Sequence, residues 1–240
     1  MIPMIADVHT HIGEDKDGTK QSVAQLKKNM KKEGVSKSVI FPFNEPTKDL
    51  MRASIDLVEY RNGAIYPFLR FDPKRHKPEN VRKALREYEF SGVKLHPFSQ
   101  NFDPSNKRYN PFYKVIEDEC VPLLFHTLGD MDRTKPYKIA SLGSRFKDLT
   151  IILAHFAGYS GRAIAEVGKR DNLYVETSVI STPRVIEMVS ENIGADKIIF
   201  GSDSPYSDPM LEIHTIKRAK IRSKDKEKIL YKNFIKVLGL

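Results

Sequence analysis

The chain has 240 residues, a formal net charge of +9 and 40% hydrophobic residues, enough for one substantial core of the size that fits a single barrel or two small domains. Its one cysteine, Cys120, excludes an intramolecular disulfide and a thiolate zinc cluster, and fits a reducing cytoplasm. No export signal opens the sequence and no run approaches the roughly 18 apolar residues of a membrane span, so a cytoplasmic protein without membrane contact is expected.

Taken in chain order, short apolar β-branched runs alternate with longer amphipathic ones. "MIADVHTH" (4–11) precedes "QSVAQLKKNMKKEG" (21–34), "KSVIFPF" (37–43) precedes "DLMRASIDLVEYRN" (49–62), and "AIYPFLRF" (64–71) precedes "ENVRKALREYEF" (79–90). "GVKLHP" (92–97) leads to "NPFYKVIEDE" (110–119), and "VPLLFHT" (121–127) to "PYKIASLGSRF" (136–146). "LTIILAHF" (149–156) is followed by "GRAIAEVGKR" (161–170), "NLYVETSVI" (172–180) by "PRVIEMVSENIG" (183–194), and "KIIFGSD" (197–203) by "DPMLEIHTIKRAK" (208–220). Eight such units with no Ser/Gly-rich or Pro-rich linker argue for a parallel α/β sheet, and at this length for a closed (β/α)8 TIM barrel in one domain, residues 1–240. No G-x-G-x-x-G follows the first strand and no P-loop occurs, so dinucleotide and P-loop readings fall away.

The basic residues are interleaved with acids in "LKKNMKKEG", "DPKRHKPENVRKALREYE" and "RSKDKEKILYKN". They read as solvated helix faces and not as a nucleic-acid stripe. The histidines are placed differently. Alternation along the first strand puts Asp7, His9 and His11 on one face. His126 ends the fifth run, His155 the sixth and Asp203 the eighth. In a parallel barrel these ends share the face where active sites form, so five metal-competent side chains, His9, His11, His126, His155 and Asp203, converge on one mouth. Imidazole and carboxylate donors suit Zn2+, and also Mn2+ or Fe2+. Arg70 shares an alternating face with Tyr66 and Phe68, and can either grip a substrate carboxylate or pair with Asp72. Lys94 and His96 share a face on the fourth run, while Asn44 and Ser178 are further candidates at the mouth.

"DVHTHIG", "GVKLHP", "FHT", "AHFAG", "NLYVETS" and "GSDSPY", with the closing "YKNFIKVLGL", resemble the amidohydrolase superfamily across essentially the whole chain, and within it the amidohydrolase-2 branch of metal-dependent hydrolases and related decarboxylases. The resemblance implies that His9, His11 and His126 hold a divalent ion, with Asp203 as a further ligand or as the base. His155 is then a general acid/base in a one-metal site or a ligand in a two-metal site, and Lys94 a carbamylated bridge or an ammonium facing an anionic substrate. One ion, Zn2+ first, is expected over two. The implied activity is hydrolysis of a small amide, ester or lactone, with Asp203 and His155 catalytic and Arg70, Lys94 and His96 binding the substrate. Decarboxylation of a small unsaturated or aromatic acid is the alternative, and the absence of a strand-four "GE" argues against the superfamily's deoxyribonucleases. The expected partner is a small molecule, without nucleic acid or membrane, in a chain that can form a homo-oligomer.

Overall fold

A computed structural model describes residues 4–43, 49–128, 135–180 and 182–240. The barrel strands are β1 (Ile5–Glu14), β2 (Val35–Pro42), β3 in two pieces (Ile65–Pro67 and Leu69–Arg70), β4 (Val93–Leu95), β5 (Leu123–Phe125), β6 (Ile151–Leu153), β7 (Leu173–Glu176) and β8 (Ile198–Ile199). Each pairs in parallel with the next in the chain. Backbone hydrogen bonds then close the ring from its last strand to its first. The Val8 amide donates to the Phe200 carbonyl (3.0 Å), the Asp203 amide to His9 (2.9 Å) and the His11 amide to Ser204 (2.8 Å). The expected (β/α)8 barrel is the fold.

Helices form where the apolar period is 3.6, and their ends carry caps. Ser22 and Gln25 make a reciprocal capping box at the start of Val23–Glu33, which ends on left-handed Gly34 at φ 73°. Leu26 and Met30 from this helix, Val81, Leu85, Ile116 and Ile186 from later ones, pack in the layer between helices and strands. A second apolar cluster fills the barrel itself, built from Ala6, Val8, Val39, Phe68, Ile152 and Tyr174. Phe234, from the last helix (Asn233–Leu238), joins this inner cluster and is fully buried there. Among the described residues no helix is long and apolar enough to cross a membrane.

One departure from strict alternation shapes the mouth. Three residue steps of β1, Asp7 to Thr10, oppose two steps of β2, Ser38 to Ile40. The extra residue is a β-bulge, which reverses the phase of everything beyond it. Ala6 and Val8 face the barrel interior below the bulge, and His9 and His11 face it above. The expectation that Asp7 lies beside the two histidines is therefore corrected. Its carboxylate instead accepts the amides of His9 and Ser202, both at 3.0 Å, and ties the bulge to the end of β8. Burial pushes this carboxyl up to about 6 despite those donors.

Candidate metal centre

Three Lewis-basic atoms meet at the top of β1 and β8. His9 Nε2 lies 3.0 Å from Asp203 Oδ1, His11 Nε2 lies 3.1 Å from the same oxygen, and the two ring nitrogens are 3.3 Å apart. Bonds of about 2.0–2.1 Å to one tetrahedral ion would set ligand atoms about 3.3 Å apart, so the spacing fits a common cation. The electrostatics of the cluster agree. Burial and the Lys94 ammonium act to lower the His9 pKa, but the Asp203 and Glu176 carboxylates outweigh them and raise it, so the surroundings of this ring favour positive charge. Burial lowers His11 to about 3, and its Nδ1 is buried with no hydrogen-bond partner among the described residues. Asp203 is held well below the usual carboxylate range by His9 and His11, against its own burial.

His155 closes the cluster from β6. It offers a ligand atom that, with those of His9 and Asp203, lies within 4.8 Å of the others. Its Nε2 faces His126 Nδ1 at 3.1 Å. The structure thus joins His126 to the group through His155, while its own Nε2 lies 3.2 Å from the Leu128 carbonyl and its ring stacks on His96 at 3.7 Å. The backbone carrying His155 is unusual. Residues 155–159 all have positive φ, from 48° to 60°, a left-handed turn that costs roughly 1–2 kcal/mol for each non-glycine residue. At Gly158 a side chain would collide with the Thr127 carbonyl, so glycine is required there. Val179 and Asp203, after β7 and β8, are also left-handed at 61° and 59°. Strain gathers around the candidate site, as it does where geometry serves function.

The cluster opens into a cavity of about 600 Å³ whose wall includes His11, Arg70, Lys94, His96, His126 and Asp203. Lys94 reaches His9 Nε2 at 3.1 Å, and burial, with the nearby Arg70 charge, lowers its pKa to about 7. Arg70 is fully buried and donates through Nη1 to the Pro42 carbonyl at 2.7 Å. Its Nε and Nη2 have no partner among the described residues. The alternative pairing with Asp72 does not form, because Asp72 instead meets Arg75 at 3.6 Å. Burial lowers the guanidinium to about 9, so it stays cationic at neutral pH.

Ser178 lies behind His155, 2.7 Å from its Nδ1, and is fully buried. Asn44 falls outside the described residues. Sequence reasoning passed over three further contributors. Phe43 stacks on the His11 ring at 5.0 Å, Tyr206 packs edge-on to it at 5.3 Å while hydrogen bonding Asp15, and Glu176 lies 2.9 Å from His9 Nδ1. For Glu176 a signal existed, since an acid two residues after Tyr174 shares that residue's inward face on a buried strand.

Comparison with known proteins agrees with this fold. No curated protein matches the chain by sequence. A 2,6-dihydroxybenzoate decarboxylase from Rhizobium superposes with a TM-score of 0.81 at 16% identity, over 99% of both chains. A dihydroxybenzoic acid decarboxylase from Polaromonas, solved with bound manganese and the inhibitor 2-nitroresorcinol, superposes with a TM-score of 0.81 at 16% identity, over 99% of this chain and 98% of that one. A candidate 2-pyrone-4,6-dicarboxylic acid hydrolase from Pseudomonas putida gives 0.77 at 14% identity, over 100% and 98%. At these identities the likeness establishes the fold alone. The family itself follows from the sequence, because the Amidohydrolase family model (Amidohydro_2), a family of metal-dependent enzymes, matches residues 6–240. The chain therefore belongs to the amidohydrolase family.

Proposed function

We propose that this protein is a metal-dependent hydrolase of a small amide, ester or lactone that carries a carboxylate. The observation that carries the reading is Arg70, a buried guanidinium with Nε and Nη2 unpartnered, in the wall of the same cavity onto which His11 and Asp203 open. Unmet donors in a fixed fork match a carboxylate, which accepts two parallel hydrogen bonds. The charge balance supports an anionic substrate. Arg70 and Lys94 stand with Asp203 and Glu176 as buried charges, and a divalent ion would tip this set to net positive.

His9, His11 and Asp203 would hold the ion, with His155 and His126 across from them, and one Zn2+ is the expected occupant. When bound, such an ion supplies Lewis acidity, polarising a carbonyl oxygen and acidifying water toward neutral pH. The chain's own groups supply the rest. Asp203 keeps 12% of its side chain exposed to the cavity and accepts a proton there. His155 accepts or returns a proton through Nε2. Arg70 and Lys94 orient the substrate, His96 and His126 form a flat imidazole wall, and a cavity of this size takes a small molecule and not a nucleic-acid duplex.

Several of the structural neighbours are decarboxylases by description, which makes loss of carbon dioxide the second reading. A carboxylate gripped by Arg70 is stabilised in the ground state, which opposes its departure as neutral carbon dioxide. The grip therefore favours hydrolysis at a second functional group. The test is a panel of small carboxylate-bearing esters, lactones and amides with Zn2+-loaded and Mn2+-loaded protein, in water enriched in 18O. Hydrolysis places the label in the product. Release of carbon dioxide without label would replace hydrolysis by the second reading. For an active substrate, Arg70→Lys raises KM by roughly 10–100-fold, the scale of a lost charged hydrogen bond. An unchanged KM would remove Arg70 from substrate binding.

A further inference from the structure

Glu176 is fully buried on β7, yet both its oxygens are engaged. Oε1 lies 2.9 Å from His9 Nδ1, accepts the His155 amide at 2.9 Å and accepts the Ser178 hydroxyl at 2.8 Å, while Oε2 accepts the Ser178 amide at 2.6 Å. Two backbone amides, which can only donate, and the Ser178 hydroxyl aim their hydrogens at these two oxygens, so the carboxyl serves as the acceptor hub and the groups facing it donate.

This requirement settles the protons on two imidazoles from different strands. His9 must carry its proton on Nδ1, and in the neutral ring Nε2 is then a lone pair aimed at His11 and Asp203. The single Ser178 hydroxyl proton is committed to Glu176, so the 2.7 Å contact between Ser178 Oγ and His155 Nδ1 is a donation from the ring. His155 Nε2 is therefore also a lone pair, turned to the cluster and to His126. One carboxylate thus presents a basic Nε2 from β1 and another from β6 to the same space.

Room for this arrangement is built into β8. A Cβ at Gly201 would collide with Glu176 Oε2 and crowd His9 Cβ at 3.1 Å, so the glycine of "FGSD" is demanded by the carboxylate behind the histidines. We propose that Glu176 is a positioning residue that sets the ring protons and orientations of His9 and His155 together, His9 directly and His155 through Ser178, with Gly201 as the space it requires. The inference rests on the metal-centre reading for its consequence, but the proton arrangement can be measured without metal.

Imidazole 15N spectra of metal-free protein, at a pH high enough for both rings to be neutral, should show Nδ1–H on His9 and His155. Glu176→Gln places an amide donor at the hub, so at least one of the two rings should change tautomer. Zn2+ affinity, read by competition with a chelating dye, should fall by about 10–100-fold, the usual scale for an outer partner of a histidine ligand. Gly201→Ala should reproduce that loss with Glu176 still in place. Ser178→Ala should alter the His155 ring alone and leave His9 as in the wild type, which keeps the idea testable should Glu176→Gln fail to fold. An Nε2–H tautomer for His9 in the wild type, or wild-type zinc affinity in folded Glu176→Gln, would overturn the proposal. Correct tautomers in a wild-type protein that binds no Zn2+ would instead sustain the proton arrangement and reject the metal reading.

Discussion

The two ends of the barrel interior are built from the same strands and differ in nearly every chemical respect. At the lower end Ala6, Val8, Tyr66, Leu124 and Ile199 close on Phe234, and the packing is apolar. Some residues later on the same strands come His9, His11, Arg70, Asp203, and behind them Glu176, equally buried and almost wholly polar. Burying apolar surface stabilises the lower end directly, at about 25 cal/mol for each Å² removed from water. Burying polar and charged groups costs free energy unless each is paired, and at the upper end some are not: His11 Nδ1 and Arg70 Nε and Nη2 stand without partners among the described residues. The lower end holds the barrel together, and the upper end spends part of that stability on groups awaiting a cation and an anion.

If the two ends divide the work in this way, substitutions should separate stability from binding. The largest effect is expected at the ligands. His9→Ala or His11→Ala should weaken Zn2+ binding by at least about 100-fold, beyond the range of outer partners, and His11→Ala, which removes a neutral ring with an unpartnered Nδ1, should do so with the metal-free melting temperature little changed. Retention of wild-type affinity by both variants would break the assignment. Asp203→Asn keeps the shape and removes the base, and with an active substrate turnover should drop by on the order of 100-fold or more. His155→Asn should lose turnover on a similar scale and still bind one equivalent of metal if one ion is held. A drop from two equivalents to one would show a two-metal site and give Lys94 a bridging role.

At the other end Phe234→Ala should cost about 3–5 kcal/mol of stability through the cavity it leaves. Its metal affinity, measured below the lowered melting temperature, should stay within about threefold of wild type. A large loss of affinity would show that the two ends are coupled. The smallest and most diagnostic effect is that of pH on the metal-free protein. His11 is lowered to about 3, His155 to about 4, and His96 and His126 well below their ordinary value of 6.5, in each case first by burial. Between those values and 6.5 the unfolded chain binds protons that the folded one refuses, so stability falls as pH falls through that window. Asp7, raised to about 6, Glu212, raised to about 7, and His9, also raised, act in the opposite sense and are outnumbered by the four lowered histidines. The melting temperature should therefore drop by on the order of 5–10 °C from pH 6.5 to 5.5. Saturating Zn2+ should restore much of it at pH 5.5, since an ion that binds only the folded state adds stability. A melting temperature flat across this range would mean that the histidines are not held neutral.

Much of this molecule is legible before any coordinates. The eight alternations follow from hydrophobic period, and the strand ends that carry His126, His155 and Asp203 follow from the common direction of a parallel sheet. The helices at Val23–Glu33, Asn110–Asp118 and Pro183–Ile193 fall within a residue or two of their amphipathic stretches. Less legible was the stretch 49–62, which forms a helix at Leu50–Ile55 and then a tighter turn at Val58–Tyr60. Its pattern remains amphipathic throughout, and packing decides where the helix stops.

By itself the sequence determined the order of elements, the family, and the collection of histidines and carboxylates on one rim, because each depends on local period or on motif. Only the tertiary structure decided which of those groups touch. The bulge that turns His9 and His11 inward and Asp7 away depends on pairing with β2, a strand nearly thirty residues on. Whether Arg70 meets Asp72 or an open cavity depends on Pro42. Glu176 becomes a hub because ring closure brings β1, β6 and β8 against one side chain of β7. Such contacts join distant parts of the chain, and a one-residue change of register redirects every side chain beyond it, so the deciding physics appears only when the strands are set side by side.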